Sequence, residues 1–466
     1  MNVAVEAGVR AGWTGHGVVA AAGGRLVRGE TAQAFDRIII DSRLTQPGDL
    51  FVAVPGARFD GHRFLPDAAA AGAVGAVVQR GRAADAAACP WVLEVPDPVR
   101  ALGALAQHHR RSLAAPVLAI TGSSGKTTTK EMLAFILREG PATVATVGTQ
   151  NNHIGVPLTL LRARPSDEVV IVEAGTNHFG ELAALGMIAA PTVTVITNVG
   201  PAHLEFFGSL EGVARAKWEL VEAMGPDGVA VLNHDDPYLR EAAQGWPGRI
   251  VWFGTDRSAD FSVDQVVEEP WGIHAVVNRR YPLRLPLPGR HHLLDALAAV
   301  ACASLVGVDP AAATAALASY IPARGRLERQ IIGGVRFIND TYNANPASVR
   351  TAVEALLNWA GPSRRFVVFG DMRELGADEA RYHAELGAWL GQLPIDGLLT
   401  VGSLTQHLQT AAAEAGCRRG WHCASLEEVN DRLAALVQPG DVVLVKGSRA
   451  MRMERVLRCF MSSLNR

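Results

Sequence analysis

The sequence predicts an α/β protein built on mainly parallel sheets and divided into roughly three domains. Three observations carry this prediction. Short β-branched runs alternate with helix-compatible stretches along the chain, the rhythm of βαβ units. Many of those runs are apolar at every position, as strands covered on both faces require. The chain has 466 residues, and at about 150 residues per domain that length holds roughly three domains.

In chain order, candidate strands occupy residues 38–40, 50–54, 75–78 and 91–95. A second group covers 117–121, 169–173, 192–197, 228–232 and 250–253, and a third covers 335–339, 366–370, 397–401 and 442–446. Helix-compatible stretches include 99–112, 130–138 and 210–224. Pro96, Asp97 and Pro98 close the first unit. Residues 262–287 alternate and carry prolines, which predicts a small antiparallel appendage. Residues 322–326, with Pro322 and Gly325, read as a hinge before the last unit. The expected domains are therefore 1–98, 99–322 and 323–466.

Composition excludes several classes. Lys plus Arg is 44 and Asp plus Glu is 46, so the net charge is −2 and no basic excess favours nucleic acid. Hydrophobic residues make up 48% and charged residues 19%, which is too apolar for a disordered chain. The longest apolar stretches, such as 113–120, fall short of the ~18–20 residues a membrane span needs, and no signal peptide is visible. Cys89, Cys302, Cys417, Cys423 and Cys459 form no CxxC and no common zinc spacing. Reduced thiols in a cytoplasmic protein are expected, and a monomer is the default because no heptad pattern is present.

The strongest local signal is the run from Thr121 through Gly122, Ser123, Ser124, Gly125, Lys126, Thr127 and Thr128. It follows an apolar strand and precedes a helical stretch, the context of a P-loop. Glycines let backbone N–H groups converge on phosphate oxygens, and the helix N-terminus adds partial positive charge. Lys126 would span the β- and γ-phosphates, and the Thr127 hydroxyl would sit on Mg²⁺. The first glycine of the usual GxxxxGK[ST] is Ile120 here. The Asn-Lys-x-Asp that reads guanine is missing after Thr197, where the chain runs Asn198-Val199-Gly200, so ATP is the expected nucleotide.

Glu173 ends the apolar run 169–173, at the edge where open α/β sheets bind ligands. A carboxylate there either holds Mg²⁺ beside the P-loop or caps a helix. His203 follows another strand and would touch a metal or a phosphate, although a lone histidine is more often structural. Lys217, fourteen residues on, reads on spacing alone as part of a solvated helix face.

Taken together, these motifs resemble the Mur ligases, ATP-dependent amide-forming enzymes of bacterial cell-wall synthesis. Further segments carry the resemblance: 41–43 and 47–53, 149–161 around Asn151 and Asn152, 339–346, 370–376 and 444–449. They run in family order from about residue 38 to 454 and are most similar to the branch that adds a dipeptide. The resemblance implies a UDP-sugar-binding domain, a central P-loop ATPase domain and a C-terminal Rossmann-like domain. It implies ATP and two Mg²⁺ ions, with UDP-N-acetylmuramoyl-tripeptide and D-alanyl-D-alanine as the partners to be joined through an acyl phosphate.

The resemblance also implies residue roles. Ser42 and Arg43 match the uridine contact, and Asn151 and Asn152 the muramoyl-peptide contact. Glu173 and His203 match metal positions, and Lys217 the lysine that CO₂ carbamylates. Arg326, Asp340 and Asn343 match residues brought to ATP by the last domain, and Lys446, Ser448 and Arg449 lie near the incoming dipeptide. One departure concerns the adenine-side motif, usually Gly-x-His-Asn-x-x-Asn, where His292 and Asp295 replace the two Asn. An amide donates and accepts, whereas a carboxylate only accepts. Two rivals remain: a neighbouring amino-acid ligase of the superfamily, and a P-loop ATPase switch acting on a protein partner. The first lacks its Asp-Asn-Pro-Arg-like selector here, and the second leaves Asp41-Ser42-Arg43 unexplained.

Overall fold

The computed structural model describes residues 12–56, 59–201, 204–269, 271–373 and 375–463. Three larger sheets follow one another along the chain. The first has five strands; Ile38–Ile39, Leu50–Val52, Gly75–Gln79 and Trp91–Val95 are parallel, and Arg25–Arg28 joins antiparallel at one edge. The third has six strands, with Val442–Lys446 held between Val335–Asp340 and Arg365–Gly370. Its one antiparallel edge strand, Glu328–Ile332, pairs with Val335–Asp340.

The central sheet has nine strands and positions the site. Val117–Thr121 lies in its interior, between Val169–Glu173 and Val193–Ile196, with every residue of the three strands buried. Register sets Glu173 opposite Ile120, so its carboxyl emerges beside the loop that follows Thr121. The residues 262–287 form the expected antiparallel strands, which attach to one edge of the central sheet. Phe261–Glu269 pairs with Arg249–Gly254 and extends the central sheet, because Phe253 and Gly254 continue the ladder onto Phe261 and Ser262.

One helix covers the P-loop strand, and a second packs on that helix. Lys126–Leu137 begins four residues earlier than the 130–138 expected from the sequence. Glycine and threonine have low helix propensity, which hid the start, but the left-handed Gly125 at φ 79° turns the chain directly into the helix. Against it packs Arg290–Leu305, in which every residue from Ala296 to Ala303 is buried. A helix apolar all round belongs inside a core. Pro98–Ser112 starts at the expected place because Asp97 accepts from the N–H groups of Val99 and Arg100 and Pro98 occupies the first turn.

Among the described residues, no helix is long and apolar enough to cross a membrane. All five cysteines are free.

Leu133 is completely buried beneath the P-loop strand. Leu133→Ala is expected to cost about 2–5 kcal/mol, and Asp97→Ala about 1 kcal/mol. Urea denaturation followed by circular dichroism checks both, and equal losses would contradict this division between core and cap.

Candidate functional site

At the C-terminal edge of the central sheet lies a cavity of about 520 Å³. Its floor is the loop from Ser123 to Thr128. Backbone strain and close contact explain both glycines of the loop. A Cβ on Gly122, at φ 149°, would meet the Thr197 hydroxyl at 1.8 Å, and one on Gly125 would meet Asp295 Oδ1 at 2.1 Å. Asn198 tethers the loop, its carbonyl accepting from Ser123 N–H and its side chain from Ser124 N–H, each at 3.0 Å. Lys126 bends back and donates to the Gly122 carbonyl at 2.6 Å. Burial lowers its proton affinity, and the Glu173 carboxylate partly restores it.

One wall is built on Glu173, which is 1% exposed. Its Oε1 accepts from the Thr127 hydroxyl at 3.1 Å and from the Asn151 amide at 2.9 Å. Its Oε2 is buried with no hydrogen-bond partner. A carboxylate oxygen without a hydrogen-bond partner, beside a hydroxyl, suits a hard cation with oxygen ligands. Among the described residues no cluster of three His, Cys, Asp or Glu side chains forms. A cation here would therefore complete its shell with waters and phosphate oxygens, as Mg²⁺ does. His203 lies outside the described residues.

The sequence did not single out Lys130, which lies four residues after Lys126 on the same helix face. Its side chain is fully buried and donates to the carbonyls of Thr146 at 2.9 Å and Gly148 at 2.6 Å. It pairs with Glu131 at 2.7 Å and stands 3.8 Å from Glu173 Oε2. The buried ammonium thus ties the P-loop helix to the segment that brings Asn151 and Asn152 to the cavity. A lysine at the i+4 position from the P-loop lysine was the available signal.

The opposite wall joins the start of helix Arg290–Leu305 to the last unit. His292, Asp295, Arg326, Tyr342, Asp340 and Asn343 line it together with Lys446. The Arg326 guanidinium stacks on the Tyr342 ring at 4.1 Å. Lys446, on the neighbouring strand in register with Asp340, donates to the Asp340 carboxylate and to the Asn343 carbonyl. His292 Nδ1–H donates to the Pro288 carbonyl at 2.7 Å, leaving Nε2 as an acceptor. Burial pushes His292 down to about 4 and Asp295 up to about 8.

Other expected residues stand apart from this cavity. Ser448 is buried behind it, its hydroxyl accepting from Arg373 N–H, and Arg449 is exposed and pairs with Glu454. Ser42 and Arg43 open a short helical turn in the first unit, where Arg43 pairs with Asp41. Lys217, read from spacing as a solvated position, is instead 3% exposed. Burial and the charge of Lys126 hold its amine well below the usual lysine range. Lys217 stands four residues after Val213 and three before Leu220, on the apolar stripe of helix Leu210–Glu222 that faces the core.

Three family models match the chain in order. They describe the Mur ligase family catalytic domain over residues 35–110, the Mur ligase middle domain over 120–303 and the Mur ligase glutamate ligase domain over 325–449. Fold and site thus define a three-part ligase organised around a phosphate-binding loop. The chain belongs to the Mur ligase family. It is 37% identical to the UDP-N-acetylmuramoyl-tripeptide–D-alanyl-D-alanine ligase of Escherichia coli, over 91% of this chain and 93% of that one. It is 32% identical to the ligase of the same name from Bacillus subtilis, over 91% and 93%.

Among solved structures, a crystal structure of MurF from Acinetobacter baumannii superposes with a TM-score of 0.87 at 34% identity, covering 97% of this chain and 99% of that one. MurF from Thermotoga maritima in complex with ADP gives 0.78 at 32% identity, covering 92% and 98%.

Folding must protonate Asp295 near neutral pH, whereas the unfolded carboxyl is ionised above about 4. A raised carboxyl therefore removes stability as pH climbs from about 4 to 8, up to about 4 kcal/mol at pH 7. Asp295→Asn is expected to raise the thermal midpoint at pH 7.5 and to change it little at pH 4. Equal shifts at both pH values, read by calorimetry, would contradict a neutral Asp295.

Proposed function

We propose that this chain is an ATP-dependent ligase joining D-alanyl-D-alanine to UDP-N-acetylmuramoyl-tripeptide, yielding UDP-N-acetylmuramoyl-pentapeptide for peptidoglycan synthesis. The observation that carries the reading is the shared cavity, in which the P-loop and Glu173 face Arg326, Asp340 and Lys446 of the last unit. A switch ATPase needs a P-loop, but not a second lobe closing on the same space. The names and the extent of the matched relatives support the substrates.

A carboxylate is a poor electrophile. The γ-phosphoryl group of ATP passes to the tripeptide carboxylate, giving an acyl phosphate and ADP. The deprotonated amine of the dipeptide then attacks the acyl carbon, and phosphate leaves the tetrahedral intermediate. Protein groups act on this sequence mainly by position and charge. The loop amides and Lys126 receive the phosphates, and Lys126 exchanges its Gly122 carbonyl for a phosphate oxygen. Thr127 and Glu173 would hold Mg²⁺, with His203 as a further candidate. Bound there, Mg²⁺ supplies positive charge that offsets the phosphates.

Burial and the charge of Lys126 shift Lys217 toward the neutral amine, the form that adds CO₂, and we assign it the carbamate role. A buried carbamate would restore negative charge beside Lys126. Arg326, Asp340, Asn343, His292 and Asp295 serve the nucleoside end of ATP. Asn151 and Asn152 serve the muramoyl-peptide, and Ser42 and Arg43 the uridine. Lys446, Ser448 and Arg449 serve the dipeptide side. Substrates held by different units call for closure, which keeps water from the acyl phosphate. The free thiols and the nucleotide substrates fit a cytoplasmic setting.

The first test is phosphate release from ATP, with product mass read in parallel. Release should require both UDP-N-acetylmuramoyl-tripeptide and the dipeptide, and release that needs neither would favour the switch. Lys126→Ala should lower kcat by about 10²–10³-fold. Glu173→Gln should raise the Mg²⁺ concentration needed for half-maximal rate by at least about tenfold. With ¹³C-bicarbonate, a carbamate signal should appear in the wild type and vanish in Lys217→Ala.

A further inference from the structure

We propose that Asp295 works as a neutral carboxylic acid whose O–H donates to the bound nucleotide beside the P-loop. The proposal rests on the nucleotide reading of this cavity and deepens it. Geometry carries it first. Asp295 is 4% exposed, lines the cavity and presses on the phosphate loop at Gly125. A Cβ at Gly125 would stand 2.1 Å from Oδ1 and 3.2 Å from Oδ2, so both oxygens crowd the last glycine before Lys126. Oδ1 accepts from the Thr129 hydroxyl at 3.3 Å. Oδ2 is buried and has no partner.

A buried polar atom without a partner costs stability, and a buried unpaired charge costs far more. Protonation of Oδ2 removes the charge and turns the orphan into a donor. The groups around Asp295 favour this form. Thr129 and the Arg326 charge lower its proton affinity, but burial outweighs them. Tyr320 is near enough to interact with it and is itself buried. His292, on the same helix, stays neutral and contributes no compensating charge. Lys126, Asp340 and Lys446 face the same cavity, the last two paired with each other.

The neutral acid has two consequences for a nucleotide. It offers one O–H donor and one carbonyl acceptor, the same pair that an amide offers. It also places no negative charge against the loop that receives the phosphates. An ionised Asp295 would lose the donor and repel the phosphates, so both effects act in the same direction. The aspartate therefore offers what an amide would offer, but only while it keeps its proton.

The experiment is titration calorimetry with ADP and Mg²⁺ from pH 7 to pH 9. If only the protonated form binds and burial sets its pKa at about 8, the wild-type Kd should rise about tenfold over that range. Asp295→Asn, which cannot ionise, should give a flat profile. Asp295→Ala should bind ADP about three- to tenfold more weakly than Asp295→Asn at pH 7, because it lacks the donor. A flat wild-type profile overturns the proposal. So does an equal rise in Asp295→Asn, which would assign the pH dependence to Lys126. Equal affinity of the Ala and Asn variants overturns the contact. Lys126→Ala binding ADP as tightly as wild type would instead overturn the nucleotide reading beneath it.

Discussion

The structure depends on a close approach: the phosphate loop is wedged between two neighbours that leave no room for a side chain. Thr197 presses on it at Gly122 and Asp295 presses on it at Gly125. These contacts fix where helix Lys126–Leu137 begins, and so where its N-terminal N–H groups point. Lys126, Thr127 and Lys130 then take their places from helix geometry alone. Parallel strand pairing places Glu173 level with Ile120, one strand away. The cavity is therefore a product of sheet register and two glycines as much as of its catalytic side chains.

Around this point the protein buries an unusual number of ionisable groups. Lys130, Glu173, Lys217, Asp295 and Lys446 are all at most 4% exposed. Each deals with desolvation differently. Lys130 takes two carbonyls and a carboxylate, and Lys446 takes the Asp340 carboxylate. Lys217 faces the like charge of Lys126, and at Asp295 burial outweighs Thr129 and the Arg326 charge, so both move toward neutrality. Glu173 keeps one oxygen hydrogen-bonded and the other only 3.8 Å from the Lys130 ammonium. Buried ionisable groups such as Lys217 and Asp295 gather where chemistry is done, and here the five line or back one cavity.

The three units divide the labour. The first holds Asp41-Ser42-Arg43 at a distance, the second supplies the phosphate loop, and the third brings strand-end residues to the same space. Lys446 and Asp340 meet because their strands are parallel neighbours with those residues in register. Ser448 and Arg449, only a few positions on, turn away from the cavity. A motif that is continuous in sequence is thus split in space between one residue in the cavity and two outside it.

Much was legible in the sequence for a simple reason. Strands such as Val117–Thr121 and Val169–Glu173 are apolar throughout, and a run buried on both faces announces itself. The P-loop was legible because its chemistry is local: glycines, a lysine and a threonine act within one turn of chain. Edge strands such as Arg25–Arg28 and Glu328–Ile332 were not, since half-exposed positions blur the pattern. Helix Leu210–Glu222 could be read from sequence, and Lys217 shares its apolar stripe with Val213 and Leu220, but a lysine by its type is expected to reach water. The same holds for Asp295, which read as an acceptor-only replacement of an amide. Only the packing of its helix against the phosphate loop removes it from water, and that desolvation decides its protonation and so its hydrogen bonding. The sequence by itself determined the fold class, the order of the units and the nucleotide loop. The tertiary structure decided the charge state and company of the buried polar groups, because burial depends on contacts between residues far apart in the chain.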